Sequence, residues 1–330
     1  MTNMHHPHAS LAPYPIEVEF PNIRRWRDSG GIDYIHTFDS HVAGPHVMVL
    51  ALNHGNEVSG AIAVDTLLAS GVRPIAGRLS LGFANVEAYE RFDPRYPDAN
   101  RFVDEDLNRV WHPAWLDGTR DSIELRRARE LRPLIDSVDL LLDIHSMHEE
   151  APPLMMCGPL AKGLELAIGY EMPQHLIIDT GHANGTRLRD YGRFGNPHHP
   201  ANALLIETGQ HFSRRSSQVA LDSACRFLLQ SGVVNMLDIA QFLGDGDDAS
   251  AGDQYIIQIT QAVVAKSMAF EFAAPYTGME VITKAGTVIA CDSGMDVVTP
   301  HDNCIIVQPS LRQLAPGIAV ARLGRLLSHD

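Results

Sequence analysis

His54 and Glu57 stand three residues apart in the segment NHGNE, which directly follows the apolar run HVMVLAL. Both side chains are good zinc ligands, and their i, i+3 spacing across a turn into a helix lets them converge on one ion. HxxE pairs are common by chance in a chain of this length, so the argument depends on the position of the pair. A continuous apolar run predicts a strand buried on both faces, and this pair lies at its end.

Two further apolar runs end in residues that suit the same chemistry, because LLLDIH ends in His145 and ANALLIE ends in Glu207. The carboxyl ends of strands in an open parallel sheet form the ligand crevice, so these strand ends are predicted to meet there. His54, Glu57 and His145 would hold one zinc ion and leave its fourth position open for water, as in catalytic sites. Glu207 is the strand-end carboxylate that is not needed as a ligand. It is therefore predicted to be the general base in a Glu-assisted attack of zinc-bound water.

Asp143 lies two residues before His145, so the two side chains point to the same face of a strand. It could orient the imidazole ring, or it could be an ordinary buried carboxylate that accepts hydrogen bonds from the backbone. The sequence leaves both interpretations open.

The segment RFVDEDLNRVW supplies Arg101, Asn108 and Arg109 within a long irregular stretch, 86–118. Arginine offers a planar fork for a carboxylate, and asparagine adds a directional hydrogen bond. A loop this long suggests a function beyond connecting two elements. The alternative is a surface loop whose arginines and aspartates pair with each other.

Strands alternate with helices through the first part of the chain, which predicts an α/β fold with a mostly parallel mixed sheet and flanking helices. The main buried strands are expected at 46–52, 78–85, 140–146 and 201–207, with helices at 58–70, 122–135 and 218–232. The alternating segment YPIEVEF (14–20) is expected to form a further strand near the amino terminus.

An acidic, glycine-rich segment divides the chain. We predict a zinc hydrolase catalytic domain at 1–243, a linker at 244–253 and a small β domain at 254–330. The last region contains short apolar segments separated by turns and no long helical pattern.

The formal net charge of -14 argues against partners such as nucleic acid or an anionic membrane. The four cysteines show no CxxC spacing, and neither an apolar leader nor a membrane-length apolar stretch is present, so a cytoplasmic protein is expected. The amino-terminal histidines, His5, His6 and His8, are expected to belong to a disordered tail. The sequence leaves open whether the chain forms a homo-oligomer.

Four segments, NHGNE, RFVDEDLNR, DIHS and IETGQ, together resemble the succinylglutamate desuccinylase/aspartoacylase family, relatives of the zinc carboxypeptidases. They follow one another in the family's order and span most of the first 210 residues. The family's small C-terminal β domain also fits the region after the linker. The resemblance implies a zinc-dependent amidohydrolase that acts on a linear amide, the N-acyl bond of a small anionic N-acyl amino acid.

Carried over position by position, the resemblance implies that His54, Glu57 and His145 bind one zinc ion and that Glu207 is the base. Arg101 would stabilise the oxyanion, and the substrate carboxylate would be bound by Asn108 and Arg109. The family places another substrate-binding arginine in the loop 181–201. Arg187, Arg189 and Arg193 are all available there, and Arg187 is the best local candidate.

Three other functions are weighed against this hypothesis. A zinc carboxypeptidase acting on a short peptide would use the same chemistry, but a β domain lying over the site argues against it. A non-catalytic metal-binding protein of the same fold would be expected to lack a ligand or the base, and all four positions are present. An NAD-dependent dehydrogenase has no support, because no GxGxxG follows an early strand.

Overall fold

The computed structural model describes residues 14–28, 30–181, 184–244 and 253–327. The amino-terminal histidines and most of the predicted linker lie outside these ranges. The helices are α1 Val58–Ser70, α2 Val86–Tyr89, α3 Pro113–Leu116, α4 Ile123–Ile135, α5 Ala161–Gly169, α6 Arg214–Gln230 and α7 Met236–Ile239. Short 3-10 turns lie at Ile23–Trp26, Leu107–Arg109, Leu188–Asp190 and Ala240–Phe242.

The strands comprise a first group, β1 Ile35–Asp39, β2 His46–Ala51, β3 Arg78–Phe83, β4 Leu140–Met147, β5 Leu154–Met156, β6 His175–Ile178 and β7 Asn202–Gln210. The second group follows the predicted linker: β8 Tyr255–Val264, β9 Phe270–Phe272, β10 Val281–Ile282, β11 Val288–Asp292, β12 Met295–Val298, β13 Cys304–Val307 and β14 Ala319–Leu326. The predicted helix at 58–70 and the buried strands around it are confirmed.

Eleven strands form one mixed sheet in the order β1-β3-β2-β4-β7-β5-β6-β8-β14-β13-β10. Its centre, β3-β2-β4-β7, is parallel, and so are the pairs β5–β6 and β6–β8. Strands β9, β11 and β12 form a separate three-stranded antiparallel sheet. The predicted fold class is confirmed. Because β8 pairs with β6, the large sheet continues across the predicted boundary, and the division at 243 and 254 stays a prediction.

Helices cover both faces of the parallel centre. Strand β2 lies between these two layers. Its apolar residues alternate between two apolar clusters, and every residue of the strand is buried. Val47 and Val49 pack in the cluster that includes α1 and α6, whereas Met48 and Leu50 pack in the cluster that includes α4. A strand buried on both faces needs apolar residues at nearly every position, and in β2 only the first residue, His46, is polar.

The expected strand at 14–20 is wrong, because this segment forms no regular element. Its alternation has another cause: Val18 and Phe20 turn inward and pack on the main core. Phe20 stacks on Phe92, with 4.0 Å between ring centroids, and the amide of Glu17 donates to the carbonyl of Phe212. In an extended segment with one buried face, apolar residues alternate with the same period as in a strand, even though this segment pairs with no neighbouring strand.

The turn that carries the HxxE pair is held by close backbone packing. At Gly55 a Cβ would lie 2.4 Å from the carbonyl oxygen of Asn100 and 2.5 Å from the carbonyl carbon of Ala88. The amide of Gly55 donates to the carbonyl of Arg101 at 2.9 Å. Glycine at this position therefore allows the long loop after β3 to lie directly against the turn. Within the described ranges, no helix is both long and apolar enough to cross a bilayer.

Candidate active site

The carboxyl ends of the central strands bring three predicted ligands together. His54 follows β2, Glu57 is the residue before α1, and His145 lies near the end of β4. All three are almost fully buried, and one ligand atom from each lies within 4.8 Å of the others. Neighbouring parallel strands place their carboxyl ends at one sheet edge, which explains how Glu57 and His145, 88 positions apart, come to meet.

The carboxylate of Glu57 lies between the two imidazole rings. Its Oε1 is 2.7 Å from Nδ1 of His54, and its Oε2 is 2.8 Å from Nδ1 of His145. The backbone amide of Ser146 also donates to Oε2, at 3.3 Å. Burial alone would raise the pKa of the Glu57 carboxyl, but the two histidines bring it well below its ordinary value. Glu57 is therefore held as an anion between two ring nitrogens that face it.

The opposite nitrogen of each ring lies against a second carboxylate. Nε2 of His54 is 2.8 Å from Oδ1 of Asp106, and Nε2 of His145 is 3.0 Å from Oδ2 of Asp143. Asn53 donates to the other oxygen of Asp143 at 2.6 Å, so this carboxylate is directed at the imidazole. A carboxylate on the outer nitrogen fixes a ligand histidine so that its inner nitrogen can bind a metal.

The three candidate donors are two imidazole nitrogens and one carboxylate, a set that fits a zinc ion. The carboxylates of Asp106 and Asp143 on the opposite ring nitrogens support this arrangement. Asp106 was missed by the sequence reasoning, which paired the loop aspartates only with arginines. Its signal lies in the segment RFVDEDLNR, where it precedes Asn108 by two residues.

Glu207 of β7 is the register partner of His145 across the parallel ladder from β4. Its Oε2 is buried and has no hydrogen-bond partner among the described residues. Burial and the nearby Glu57 anion raise the pKa of Glu207 to about 7, against opposing effects that include Arg101. A carboxyl with a pKa near neutrality can both take and return a proton during a reaction.

The loop segment 101–109 lies over the same cluster. Arg101 donates to Glu57 at 3.1 Å and to Asp106 at 3.4 Å, with 15% of its side chain exposed. Asn108 places Nδ2 3.4 Å from Nε2 of His145, and its Oδ1 accepts from the amide of Leu188. The loop arginines do pair with a loop aspartate, as the alternative interpretation expected, but they do so beside the candidate metal ligands.

Nη2 of Arg109 lies 3.9 Å from Oδ2 of Asp106, farther than Arg101 lies from the same oxygen. Burial, together with the positive charges of Arg101, Arg322 and Arg187, lowers its pKa to about 10. Four arginines, Arg101, Arg109, Arg187 and Arg322, thus act on one another here, together with the carboxylate of Asp106, within a chain whose net charge is strongly negative. A negatively charged ligand group would relieve this repulsion.

The arginines of the loop 184–195 are engaged with protein groups. Arg187, 3% exposed, donates through both terminal nitrogens to Asp179 and through Nε to Asp190, at 2.7 to 3.0 Å. Arg189 donates to the carbonyls of Cys157 and Ala203. Contact with substrate stays a prediction for Arg187, and its bonds in this structure are those of a buried ion pair.

A second group of buried polar residues adjoins the cluster. Ser146 Oγ is 2.8 Å from Nδ1 of His211, whose Nε2 is 3.2 Å from Nδ1 of His148. That nitrogen of His148 also lies 3.2 Å from Oδ1 of Asp98. The two histidines thus bond to each other, to Ser146 and to Asp98 of the long loop.

The region after the linker contributes Gln308, which follows β13, and Arg322 of β14. Nη1 of Arg322 donates to Oε1 of Gln308 at 2.7 Å, and the charges of Asp179, Arg187 and Glu207 act on this buried guanidinium, whose pKa burial lowers. The sequence reasoning missed both residues, because nothing in an isolated β segment indicates which polar side chain will face a distant strand end.

Residues 43–165 match the family model described as the succinylglutamate desuccinylase/aspartoacylase catalytic domain. A comparison with curated protein sequences finds no match. Among solved structures, succinylglutamate desuccinylase from Vibrio cholerae is 18% identical, with a TM-score of 0.65 over 89% of this chain and 86% of that one. The ectoine utilization protein EutE (DoeB) from Ruegeria pomeroyi is 17% identical, with a TM-score of 0.60 over 88% of each chain.

A third structure, the succinylglutamate desuccinylase/aspartoacylase from Rhodobacter sphaeroides, is 17% identical and has a TM-score of 0.62 over 90% of both chains. At these identities the likeness to solved structures concerns the fold, while the match to the family model concerns the sequence itself. The resemblance predicted from the four motifs is confirmed, since residues 43–165 match the model of the succinylglutamate desuccinylase/aspartoacylase catalytic domain.

Proposed function

We propose that this chain is a zinc-dependent hydrolase that cleaves the amide bond of a small anionic N-acyl amino acid. The observation that carries the proposal is the convergence of His54, Glu57 and His145, with Glu207 as the register partner of the last. The His-Glu-His donor set fits one zinc ion per chain, and each outer ring nitrogen already has a carboxylate partner.

When bound, zinc would polarise the scissile carbonyl and lower the pKa of a water molecule at its open position. Glu207 takes a proton from the attacking water as the water oxygen forms a bond to the carbonyl carbon. The same carboxyl then gives this proton to the amide nitrogen as the carbon–nitrogen bond breaks. An acid and an amine leave. A pKa of about 7 suits both directions of proton transfer.

Arg101 is proposed to stabilise the charge that develops on the carbonyl oxygen. Its guanidinium is held beside Glu57 and Asp106 and is largely buried, so it is positioned before the substrate arrives. Preorganised positive charge in a site that excludes water lowers the barrier more than the same charge does in solvent.

Asn108 and Arg109 are proposed to bind the substrate carboxylate. Arg109 lies close to three other arginines; its Nη1 donates to the carbonyl of Asn108 at 2.8 Å, and its Nη2 lies 3.9 Å from Asp106. A carboxylate ligand can accept two hydrogen bonds from one guanidinium, which gives orientation as well as attraction. Arginines gathered near the site would attract an anionic substrate locally, although the net charge of the protein is negative.

A zinc carboxypeptidase is the second candidate function, since it would use the same metal and base. The burial of His54, Glu57 and His145 favours the smaller N-acyl amino acid, because a peptide chain needs a cleft that is open along its length.

The test is a hydrolysis screen of N-acyl amino acids by the zinc-loaded protein, in which the acyl chain and the amino acid are varied independently. Short peptides with a free carboxyl terminus form the comparison set. We expect N-acyl amino acids with an extra side-chain carboxylate to have the highest kcat/KM. Faster cleavage of the peptides would favour the carboxypeptidase, and hydrolysis of neither set by protein with one bound zinc would overturn the proposal.

A further inference from the structure

Arg312, in the loop between β13 and β14, is buried where three other segments of the chain meet. Only 8% of its side chain is exposed. Its Nε donates to Oε1 of Glu149, shortly after β4, at 3.0 Å, and its Nη1 donates to Oδ2 of Asp98 at 3.4 Å. Its guanidinium lies over the ring of Tyr14, 4.8 Å from the centroid. One side chain thus joins the region after the linker to the amino-terminal segment, the long loop and the end of β4.

The two carboxylates in this contact have further partners. Ser310 donates its hydroxyl to Oε1 of Glu149 at 3.3 Å, and Tyr14 donates its hydroxyl to Oε2 at 2.8 Å. The other oxygen of Asp98, Oδ1, lies 3.2 Å from Nδ1 of His148. In such a network each group limits the movement of its neighbours.

Asp98 lies where the long loop returns from solvent toward the candidate active site. Residues 94–96 are exposed, whereas Asn100 is buried and donates to the carbonyl of Gly55 at 3.0 Å. The amide of Gly55 donates in turn to the carbonyl of Arg101 at 2.9 Å. The backbone at Arg101 is therefore held by the turn at Gly55, and three residues earlier the loop is held by the contacts of Asp98.

We propose that Arg312 is a positioning residue that holds the loop segment of Arg101 over the candidate metal ligands. This inference rests on the proposed role of Arg101 at the developing oxyanion. Arg101 reaches Glu57 and Asp106 at 3.1 and 3.4 Å from a loop, so a displacement of its backbone would move its guanidinium. Misplacing a catalytic group by about 1 Å can cost about 10²-fold in rate, which makes the contact at Asp98 important for turnover.

The charge of Arg312 explains why the contact would hold the loop in one position. Nε and Nη1 belong to one planar group, so the carboxylates of Glu149 and Asp98 are held in a fixed relative orientation. Without the cation, two partly buried like charges would remain near each other and repel. Asp98 is the one expected to move, because its loop has exposed neighbours while Glu149 follows a central strand.

The test uses the zinc-loaded full chain and an N-acyl amino acid that the screen identifies. Arg312→Gln removes the charge between the two carboxylates. We expect kcat to fall by about 10-fold with KM and zinc content little changed, because Arg101 is proposed to act on the transition state. A raised KM with an unchanged kcat would overturn the inference. The matched control is Arg226→Gln, which removes an arginine of α6 that pairs with Asp222 at 2.9 Å, and its kcat should be unchanged.

Amide hydrogen exchange provides a measurement that needs no substrate. The amide of Gly55 donates to the carbonyl of Arg101, and the amide of Ala99 donates within the same loop. If Arg312 holds this segment, both amides should exchange faster in Arg312→Gln than in the wild type, while amides of α6 keep their rates. Equal exchange rates in the two proteins would contradict the inference. A wild type that hydrolyses no N-acyl amino acid would instead be a failure of the proposed function, and the exchange rates would still decide whether Arg312 holds the loop.

A double variant distinguishes positioning from general damage. If Arg312 acts through Arg101, adding Arg312→Gln to Arg101→Ala should cause almost no further loss of kcat. Equal fold-losses in both backgrounds would argue for an effect that does not pass through Arg101 and would overturn the inference. If Arg312→Gln fails to fold, Asp98→Ala removes the same contact from the loop side, and an unchanged kcat there also overturns the inference.

Discussion

His145 and Glu207 are paired residue to residue in the parallel ladder between β4 and β7. The proposed ligand and the proposed base are therefore positioned by the backbone hydrogen bonds of two central, buried strands. Arg101 and Arg109, by contrast, come from the long loop that packs on the turn at Gly55. The two sets of residues should respond differently to mutation, because rigid strands hold a metal-site geometry more closely than a loop does.

Removal of a metal ligand should be detected as loss of metal. His145→Ala deletes one of the three donors that lie within 4.8 Å of one another, and we expect stoichiometric zinc and nearly all activity to be lost. Zinc per chain is measured after dialysis, together with Tm. The matched control is His36→Ala, which removes a half-buried histidine of β1 that bonds to the Trp26 carbonyl, and it should keep its zinc. Full zinc occupancy in His145→Ala would contradict the ligand assignment.

Substitution of Arg109 by lysine should separate charge from geometry. Lysine keeps the positive charge but loses the planar fork that binds a carboxylate through two hydrogen bonds. We expect KM to rise about 10-fold with little change in kcat, as for the loss of one charged hydrogen bond worth roughly 1.5 kcal/mol. Arg95→Lys is the control, since Arg95 is exposed and pairs with Asp93. Wild-type efficiency on a carboxyl-methylated substrate would argue against carboxylate binding.

Arg187 forms a buried ion pair, and breaking it should cost stability. Arg187→Met leaves Asp179 buried without its bidentate partner, so we expect the free energy of unfolding to fall by about 3 kcal/mol. Denaturant unfolding measures this value, with the exposed Arg91→Met as control. The predicted substrate contact is tested on the same protein through KM. An unchanged unfolding free energy with a raised KM would make substrate binding the main role of Arg187.

The sequence predicted those parts of the molecule that local pattern determines. The apolar run before His54, the helix after Glu57 and the strands of His145 and Glu207 all follow from periodicity and from residues at their ends. Asp106 was missed because its partner, Nε2 of His54, is 52 positions away and nothing local indicates which loop carboxylate will turn inward. Gln308 was missed for a similar reason, since strand register in the last region depends on long-range pairing.

The segment 14–20 shows the same limit in a region for which the sequence predicted a strand that does not form. Its alternation correctly indicated one buried face, shown by Val18 and Phe20, but whether that face belongs to a strand depends on a hydrogen-bonding neighbour. Sequence periodicity reports burial, and backbone pairing is a separate property that only the assembled fold determines.

The stability of the fold should depend on the protonation of His46. This histidine lies at the start of β2, where Ser80 and Ser137 bond to its ring nitrogens at 2.8 and 3.1 Å. Burial, followed by the positive charge of Arg78, lowers its pKa from 6.5 to about 4. The unfolded chain binds a proton near pH 6.5 while the folded chain remains neutral, so stability is complete above that pH and falls as the pH drops toward 4.

The expected loss between pH 7 and pH 4 is about 1–3 kcal/mol from this group, allowing for partial solvent screening. His46→Gln can still bond to the two serines and does not titrate in this range. Denaturant unfolding of both proteins across this pH range gives the difference between their unfolding free energies. The contributions of the other titrating groups cancel in this difference. If the difference in unfolding free energy between the wild type and the variant does not change with pH, His46 contributes nothing to acid sensitivity.

Glu207 is the residue on which the enzyme proposal depends most. Glu207→Gln is nearly isosteric and keeps a hydrogen-bonding group beside His145, so the fold and the zinc content should be retained. The variant cannot take a proton from water or return one to the leaving amine. We therefore expect kcat to fall by about 10²- to 10⁴-fold, the usual contribution of general acid–base catalysis. Substrate should still bind, with a dissociation constant near that of the wild type.

The metal content of this variant decides between two roles for the carboxylate. Zinc retained with activity lost supports a base, whereas loss of zinc would make Glu207 a ligand and overturn the division of roles. Retention of both zinc and activity would move the base elsewhere, and Glu149, which now pairs with Arg312 at 3.0 Å, would be the next carboxylate to substitute. Because the inactive variant should hold an intact N-acyl amino acid, its crystal structure would also reveal which arginines contact the substrate carboxylate.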